Sequence, residues 1–368
     1  MKIPELLRSI SGEKIDSKEK WENFRRPEII NLFEQYVYGV RPVERPRDLQ
    51  FQTVTTIRDF CEKGIQFETI QICFQGYSFS VYAYYPQGAK EKIPAFVYLM
   101  HEAEQKKCDL EKNIDCDYVD IREIIRRGYA VFIVPTSGIA PDWDHKANYK
   151  QGIFPVFTPD ENDRKPNSWA TISAWAWGAS RVMDYIETDE RVNAKRVTVA
   201  GHSRGGKTAL WCGALDQRFC CAISNNSGCA GAAMHRTKEG EKIKDINITD
   251  WFCGNYRNFN DHEDFLPVDQ HMLIAAYAPR MVYVSSSCED DWADPAAERL
   301  SCRMAGEAYA LYGKRGVVLP EEPIQLDYGY HQGMIGYHVK TGGHSITHFD
   351  WKLFLDFLDQ KFGAESIG

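Results

Sequence analysis

The stretch Val199-Ala200-Gly201-His202-Ser203-Arg204-Gly205-Gly206-Lys207, "VAGHSRGGK", closes a β-branched run, "RVTVAG", and opens a helical one, "GKTALWCGALD". A serine between two glycines at a strand-to-helix junction sits on a sharp, strained turn, because only small neighbours let such a turn form. The turn holds the Ser203 hydroxyl out from the backbone, the placement expected of a nucleophile. A serine hydroxyl is weak in that role without a base and a group that orients the base.

Outward from this junction, short apolar runs alternate with helical segments. "AFVYLM", "YAVFIVP", "RVTVAG", "CCAISNN" and "MVYVSSS" read as strands, with helices over "YVDIREIIRRG" and the tryptophan-rich "SWATISAWAWGASRVMDYIE". This alternation predicts a mostly parallel sheet covered on both faces. Gly201, Ser203 and Gly205 then match the nucleophile elbow of α/β-hydrolases. Before residue 94, "FQTVTTI", "IQFETIQICF" and "YSFSVYAYYP" alternate polar and apolar positions, as antiparallel strands do, with turns at Lys63-Gly64 and Gln75-Gly76. Residues 1–50 read as a helical extension, "RRPEIINLFEQYVYG", packed on a single catalytic unit over residues 51–368. The polar, proline-bearing segment from Asp142 to Ser168 reads as a long insertion near the site. Trp169, Trp175 and Trp177 are expected in the core.

Composition excludes several classes. With 43% hydrophobic and 26% charged residues the 368-residue chain is globular, and a formal charge of −8 speaks against nucleic acid as a partner. No segment reaches the roughly 18 consecutive apolar residues of a membrane span, and the N-terminus lacks the apolar core of a secretory signal. A cytoplasmic location is therefore expected, or a secreted or periplasmic one if a leader was removed. Eleven cysteines without CxxC spacing are expected to be buried or free thiols, and "HEAEQ" from His101 lacks the second histidine of a zinc protease. No metal or cofactor is expected.

In an α/β-hydrolase the chain order is serine, acid, histidine. "KTGGHSITHFD" places His344 on a glycine-bearing loop before the terminal helix, the position of the base; His348 is its rival. "SSSCEDDWADP" follows a strand and offers Glu289, Asp290 and Asp291. Asp290 is favoured as the acid, with Glu289 next.

"GHSRGGKTAL", "ISNNSGCAGAA", "LPVDQHMLIAAYAPR", "DDWADP" and "TGGHSIT" together resemble carbohydrate esterase family 15, the glucuronoyl esterases, and more closely its bacterial branch. The resemblance spans roughly residues 90 to 362. It implies a three-layer αβα sandwich of the α/β-hydrolase fold, without a metal, that hydrolyses esters of (4-O-methyl-)glucuronic acid such as those linking xylan to lignin. Carried over by position, Arg204 would stabilise the oxyanion, Lys207 would hydrogen-bond the glucuronate hydroxyls, Trp292 would line the sugar site and Glu241 would be an acidic sugar-binding residue.

The chemistry of these residue types agrees. Arg204 is always protonated, a second cation suits the carboxylate product, and the Trp292 ring offers a face for a sugar. One departure stands out. Many members carry a glutamate where this chain has Asn226, and an amide cannot balance an imidazolium, so the resemblance implies an acid moved to the later loop, as in some bacterial members. Two alternatives stay open: an acetyl or other carboxylic-ester hydrolase acting on carbohydrate, and a catalytically silent carbohydrate-binding relative. A glucuronate-bearing carbohydrate ester is the expected partner.

Overall fold

A computed structural model describes residues 3–142, 148–236, 239–247, 250–321 and 323–365. Among them, nine strands form one sheet: β1 (Gln50–Ile57), β2 (Ile65–Phe74), β3 (Tyr77–Pro86), β4 (Ile93–Met100), β5 (Ala130–Pro135), β6 (Val192–His202), β7 (Cys221–Asn225), β8 (Met281–Ser287) and β9 (Ile335–Lys340). Their order is β1-β2-β3-β5-β4-β6-β7-β8-β9. The first three pair antiparallel, β3 meets β5 antiparallel, and every pair from β5 to β9 is parallel. This is the mostly parallel sheet expected from the alternating runs.

Strand periodicity divides the core. Val97 and Leu99 of β4, with Val282 and Val284 of β8, pack with the helices Thr171–Ile186, Arg204–Leu215 and Pro295–Ala310. Phe96, Tyr98 and Tyr283 point the other way, onto Ile121–Arg126 and the terminal helix His348–Glu365. Side chains that alternate between faces, both of them apolar, require helices on both sides, and a three-layer α/β-hydrolase sandwich results. Trp169, Trp175 and Trp177 are fully buried, as expected; Trp175 Nε1 donates to Ala140 O at 2.9 Å and Trp177 Nε1 to Val43 O at 2.8 Å, so neither indole is left without a partner.

The N-terminal helical run, Lys18 to Tyr38, lies against the sandwich. Arg26 donates to Ala214 O at 2.6 Å and Ala276 O at 2.8 Å, carbonyls at the C-terminal ends of Arg204–Leu215 and Gln270–Ala275. Tyr38 stacks on Trp211 with centroids 4.5 Å apart. This extension therefore clamps the helix that follows the elbow.

One feature differs from expectation. Cys108 and Cys116 form a disulfide, while the nine other cysteines are free; the expectation of thiols throughout fails for this pair because spacing alone does not encode pairing. The helix Pro295–Ala310 begins directly behind the acidic loop. In the insertion, residues 143–147 lie outside the described residues.

Candidate active site

All parallel strands point their C-terminal ends at one edge of the sheet, where α/β proteins place their sites. At the end of β6, Ser203 holds φ 55° and ψ −124°, a strained conformation for a residue with a side chain. The turn is possible because a Cβ on Gly201 would lie 2.3 Å from the Gly205 carbonyl, and one on Gly205 would lie 2.6 Å from Leu99 O. Ser203 N donates to Asn225 O at 2.8 Å, fixing the turn to β7.

His344 comes from the loop after β9 and Asp290 from the loop after β8. Their contact is short: His344 Nδ1 lies 2.6 Å from Asp290 Oδ2. Asp290 is buried, whereas Glu289 and Asp291 are exposed, so among the three carboxylates Asp290 meets His344. Burial pushes the Asp290 carboxyl up, but hydrogen bonds from His344 and Asn226 outweigh it and hold it below its ordinary value. Asn226 Nδ2 donates to Asp290 Oδ2 at 2.7 Å. The residue that replaces the glutamate expected from the resemblance thus supports the carboxylate supplied by the later loop. His348 is exposed, 2.6 Å from Asp120, and is no part of this arrangement.

Ser203, His344 and Asp290 line a cavity of about 350 Å³, together with Arg204, Lys207, Asn226, Glu241, Trp292, Asp245, Ile246 and Trp251. Ser203 and His344 make no hydrogen bond to each other, a looseness common to catalytic pairs before substrate binds.

The sugar-site candidates come together. Lys207, one turn after Ser203, is buried, donating to Glu241 Oε2 at 2.8 Å and to Cys229 O at 2.5 Å. Glu241 Oε1 accepts from Trp292 Nε1 at 3.1 Å, and the Glu241 N–H donates to Trp292 O at 2.9 Å. Trp292 itself is 56% exposed, so much of its indole is open to solvent. A tryptophan this exposed beside a buried ion pair combines a stacking surface with polar groups, as saccharide binding requires.

Arg204 is held by Asp142, whose Oδ1 accepts from Nη1 at 2.9 Å, and its guanidinium lies 4.9 Å from the Trp251 ring centroid. Trp251 Nε1 also donates to Asp142 Oδ1, at 3.2 Å. Burial raises the Asp142 carboxyl above its ordinary value despite Arg204. Asp142 and Trp251 were not legible as site residues in the sequence. The signal for Asp142 was its place at the head of the insertion; Trp251 lies in a segment without periodicity.

The family described as "Glucuronyl esterase, fungi" matches residues 75–313. The chain is 35% identical to "Carbohydrate esterase MZ0003" from an unknown prokaryotic organism, over 99% of this chain and 90% of that one. Among solved structures it resembles the glucuronoyl esterase from Solibacter usitatus (TM-score 0.87, 31% identity, 98% of each chain). It is also similar to a protein described as a promiscuous CE15 esterase from the marine bacterial metagenome (TM-score 0.87, 34% identity, 97% of this chain and 96% of that one).

Proposed function

The chain belongs to the glucuronoyl esterases, carbohydrate esterase family 15, and from that premise we propose that it cleaves esters of (4-O-methyl-)glucuronic acid by a Ser203-His344-Asp290 triad. The observation that carries this reading is the 2.6 Å contact of His344 with Asp290 on the wall of the cavity that also holds Ser203 and the Lys207-Glu241-Trp292 group.

In the proposed reaction Ser203 Oγ attacks the ester carbonyl while His344 Nε2 takes its proton. Asp290, held by Nδ1–H, balances the imidazolium that forms. The tetrahedral oxyanion meets the Arg204 N–H, at the head of its helix, and the Arg204 guanidinium. The other backbone donor usual in this fold comes from the loop after β4, but His101 N is engaged by Glu104 Oε2 at 3.1 Å. That engagement supports a side-chain donor in its place. Collapse expels the alcohol, protonated by His344, and leaves a glucuronoyl-Ser203 ester; water activated by the same imidazole then releases the acid. Lys207 donates to sugar hydroxyls and Glu241 accepts from them, and Trp292 covers a ring face.

Relatives named 4-O-methyl-glucuronoyl methylesterase, among them the one from Phanerochaete chrysosporium, support the substrate, although that match spans 34% of this chain and 29% of the relative. Action on other carboxylic esters is the second reading, favoured by the relative described as promiscuous. The test is the kcat/KM ratio for benzyl glucuronate against an acetyl ester. Preference for the glucuronate is expected; turnover of the acetyl ester alone overturns the substrate.

Among the described residues no helix is long and apolar enough to cross a membrane. The Cys108–Cys116 disulfide favours an oxidising compartment over the cytoplasm expected from the sequence. Thiol trapping in cells followed by mass determination reads out the choice: two thiols at these positions would return the protein to the cytoplasm.

A further inference from the structure

Beneath His344 lies a buried polar cluster that the proposed reaction does not use. Asp350, on the first turn of the terminal helix, is fully buried and accepts from five donors. Lys340 Nζ lies 2.5 Å and Thr347 N and Oγ1 each 2.8 Å from its Oδ2; His338 Nε2 lies 2.9 Å and Asn225 Nδ2 3.3 Å from its Oδ1. Lys340, also buried, donates as well to Ser345 O at 2.6 Å. These contacts fall on both ends of the loop Thr341–Thr347 that carries His344.

A second branch reaches the same imidazole. The Asn225 amide nitrogen is committed to Asp350 and to Ser285 Oγ at 2.9 Å, so its Oδ1 must accept from His202 Nδ1–H, 2.6 Å away. The His202 ring lies 4.6 Å from that of His344. Burial, and then the proximity of His344, push His202 down to about 3, so it stays neutral beside an imidazole that must become charged.

We infer that Lys340 and Asp350 form one positioning unit for the general base, pinning both ends of the His344 loop and, through Asn225, fixing the His202 ring against which His344 packs. The inference rests on His344 as the base. The unit touches no substrate; it acts by holding the imidazole to the geometry that Ser203 needs, where a displacement of about 1 Å can cost two orders of magnitude in rate.

The test measures kcat, KM and Tm on benzyl glucuronate for Asp350→Asn, Lys340→Met, the double variant and Thr347→Val, which removes a single hydroxyl contact and guards against loss of folding in the others. His344→Ala and Arg218→Met are the controls; Arg218 pairs with Asp184 at 2.7 Å just before β7, at the opposite edge of the sheet from the site. Asp350→Asn and Lys340→Met are expected to lower kcat at least about 10-fold with KM within about 2-fold, and the double variant to lose no more than the worse single one. Thr347→Val is expected to lose about 3-fold in kcat, and Arg218→Met to lose Tm but not kcat. If the cluster variants lose only Tm, as Arg218→Met does, or if the two single losses simply add, the positioning unit is overturned. If His344→Ala keeps activity, the assignment of the base falls and the inference with it.

Discussion

Asn226 Nδ2 donates to the same Asp290 oxygen, Oδ2, that binds His344, at 2.7 Å against 2.6 Å. In the proposed triad Asn226, at the position where the resemblance implies a glutamate, would act through the carboxylate of the later loop. Asp290→Asn is expected to lower kcat by about 10³- to 10⁴-fold, because the imidazole loses both its orienting acceptor and its counter-charge. Glu289→Gln, at an exposed side chain, should leave kcat within about 2-fold. Steady-state kinetics on both variants distinguish the two carboxylates.

The support from Asn226 has its own consequence. Asn226→Ala removes one of the hydrogen bonds that keep Asp290 ionised against its burial. The expected loss is about 10-fold in kcat, with KM unchanged, and it should deepen toward acidic pH as Asp290 becomes easier to protonate. A pH–rate profile parallel to wild type would contradict this role.

Arg204 owes its direction to Asp142. Arg204→Ala is expected to lower kcat about 10²- to 10³-fold, and Asp142→Asn, which keeps the volume but loses the charge, about 10-fold. Arg204→Lys should not rescue, since an ammonium cannot reach the oxyanion and Asp142 with the same fork. Parallel assays of the three variants measure these ratios.

Lys207, Glu241 and Trp292 separate binding from chemistry. Trp292→Ala is expected to raise KM about 10-fold for benzyl glucuronate and to leave an acetyl ester unaffected. Lys207→Met leaves the Glu241 carboxylate partly buried without its cation, so a stability loss of about 3 kcal/mol should accompany the loss of binding. Calorimetry and kinetics on the same preparations check both.

Stability should fall on the alkaline side through His235. Burial pulls this histidine down, but Cys229 and Asp269, the latter 3.1 Å away, outweigh it and raise it from 6.5 to about 9. The folded chain thus holds the proton more tightly than the unfolded one. Its contribution is complete below about 6.5 and is lost as pH rises through about 9. Tm of the wild type should decline across that window and that of His235→Gln should decline less.

Legibility in the sequence followed physical locality. β2, β3 and β8 matched the quoted runs residue for residue, because alternating or continuous apolar runs bounded by turns leave little choice. Ser203, Asp290 and His344 were legible through chain order at strand ends. The helix Pro295–Ala310 was not identified in the sequence, although Asp294-Pro295 is a cap and first-turn pair, with Asp294 Oδ1 accepting from Ala297 N at 2.9 Å. Asp142 and Trp251 were hidden because their meaning lies in contacts with Arg204 made across 62 and 47 residues of chain. The Asp350 cluster was hidden for the same reason: it joins β7, β9 and the terminal helix, and no local pattern marks a residue by the number of donors it will collect.

The most direct test of the central claim is to quench benzyl glucuronate turnover early and locate the acyl group by mass spectrometry in wild type and Ser203→Ala. A glucuronoyl group on the Ser203 peptide of the wild type is expected, with neither adduct nor turnover in Ser203→Ala. Sustained hydrolysis by Ser203→Ala would contradict it.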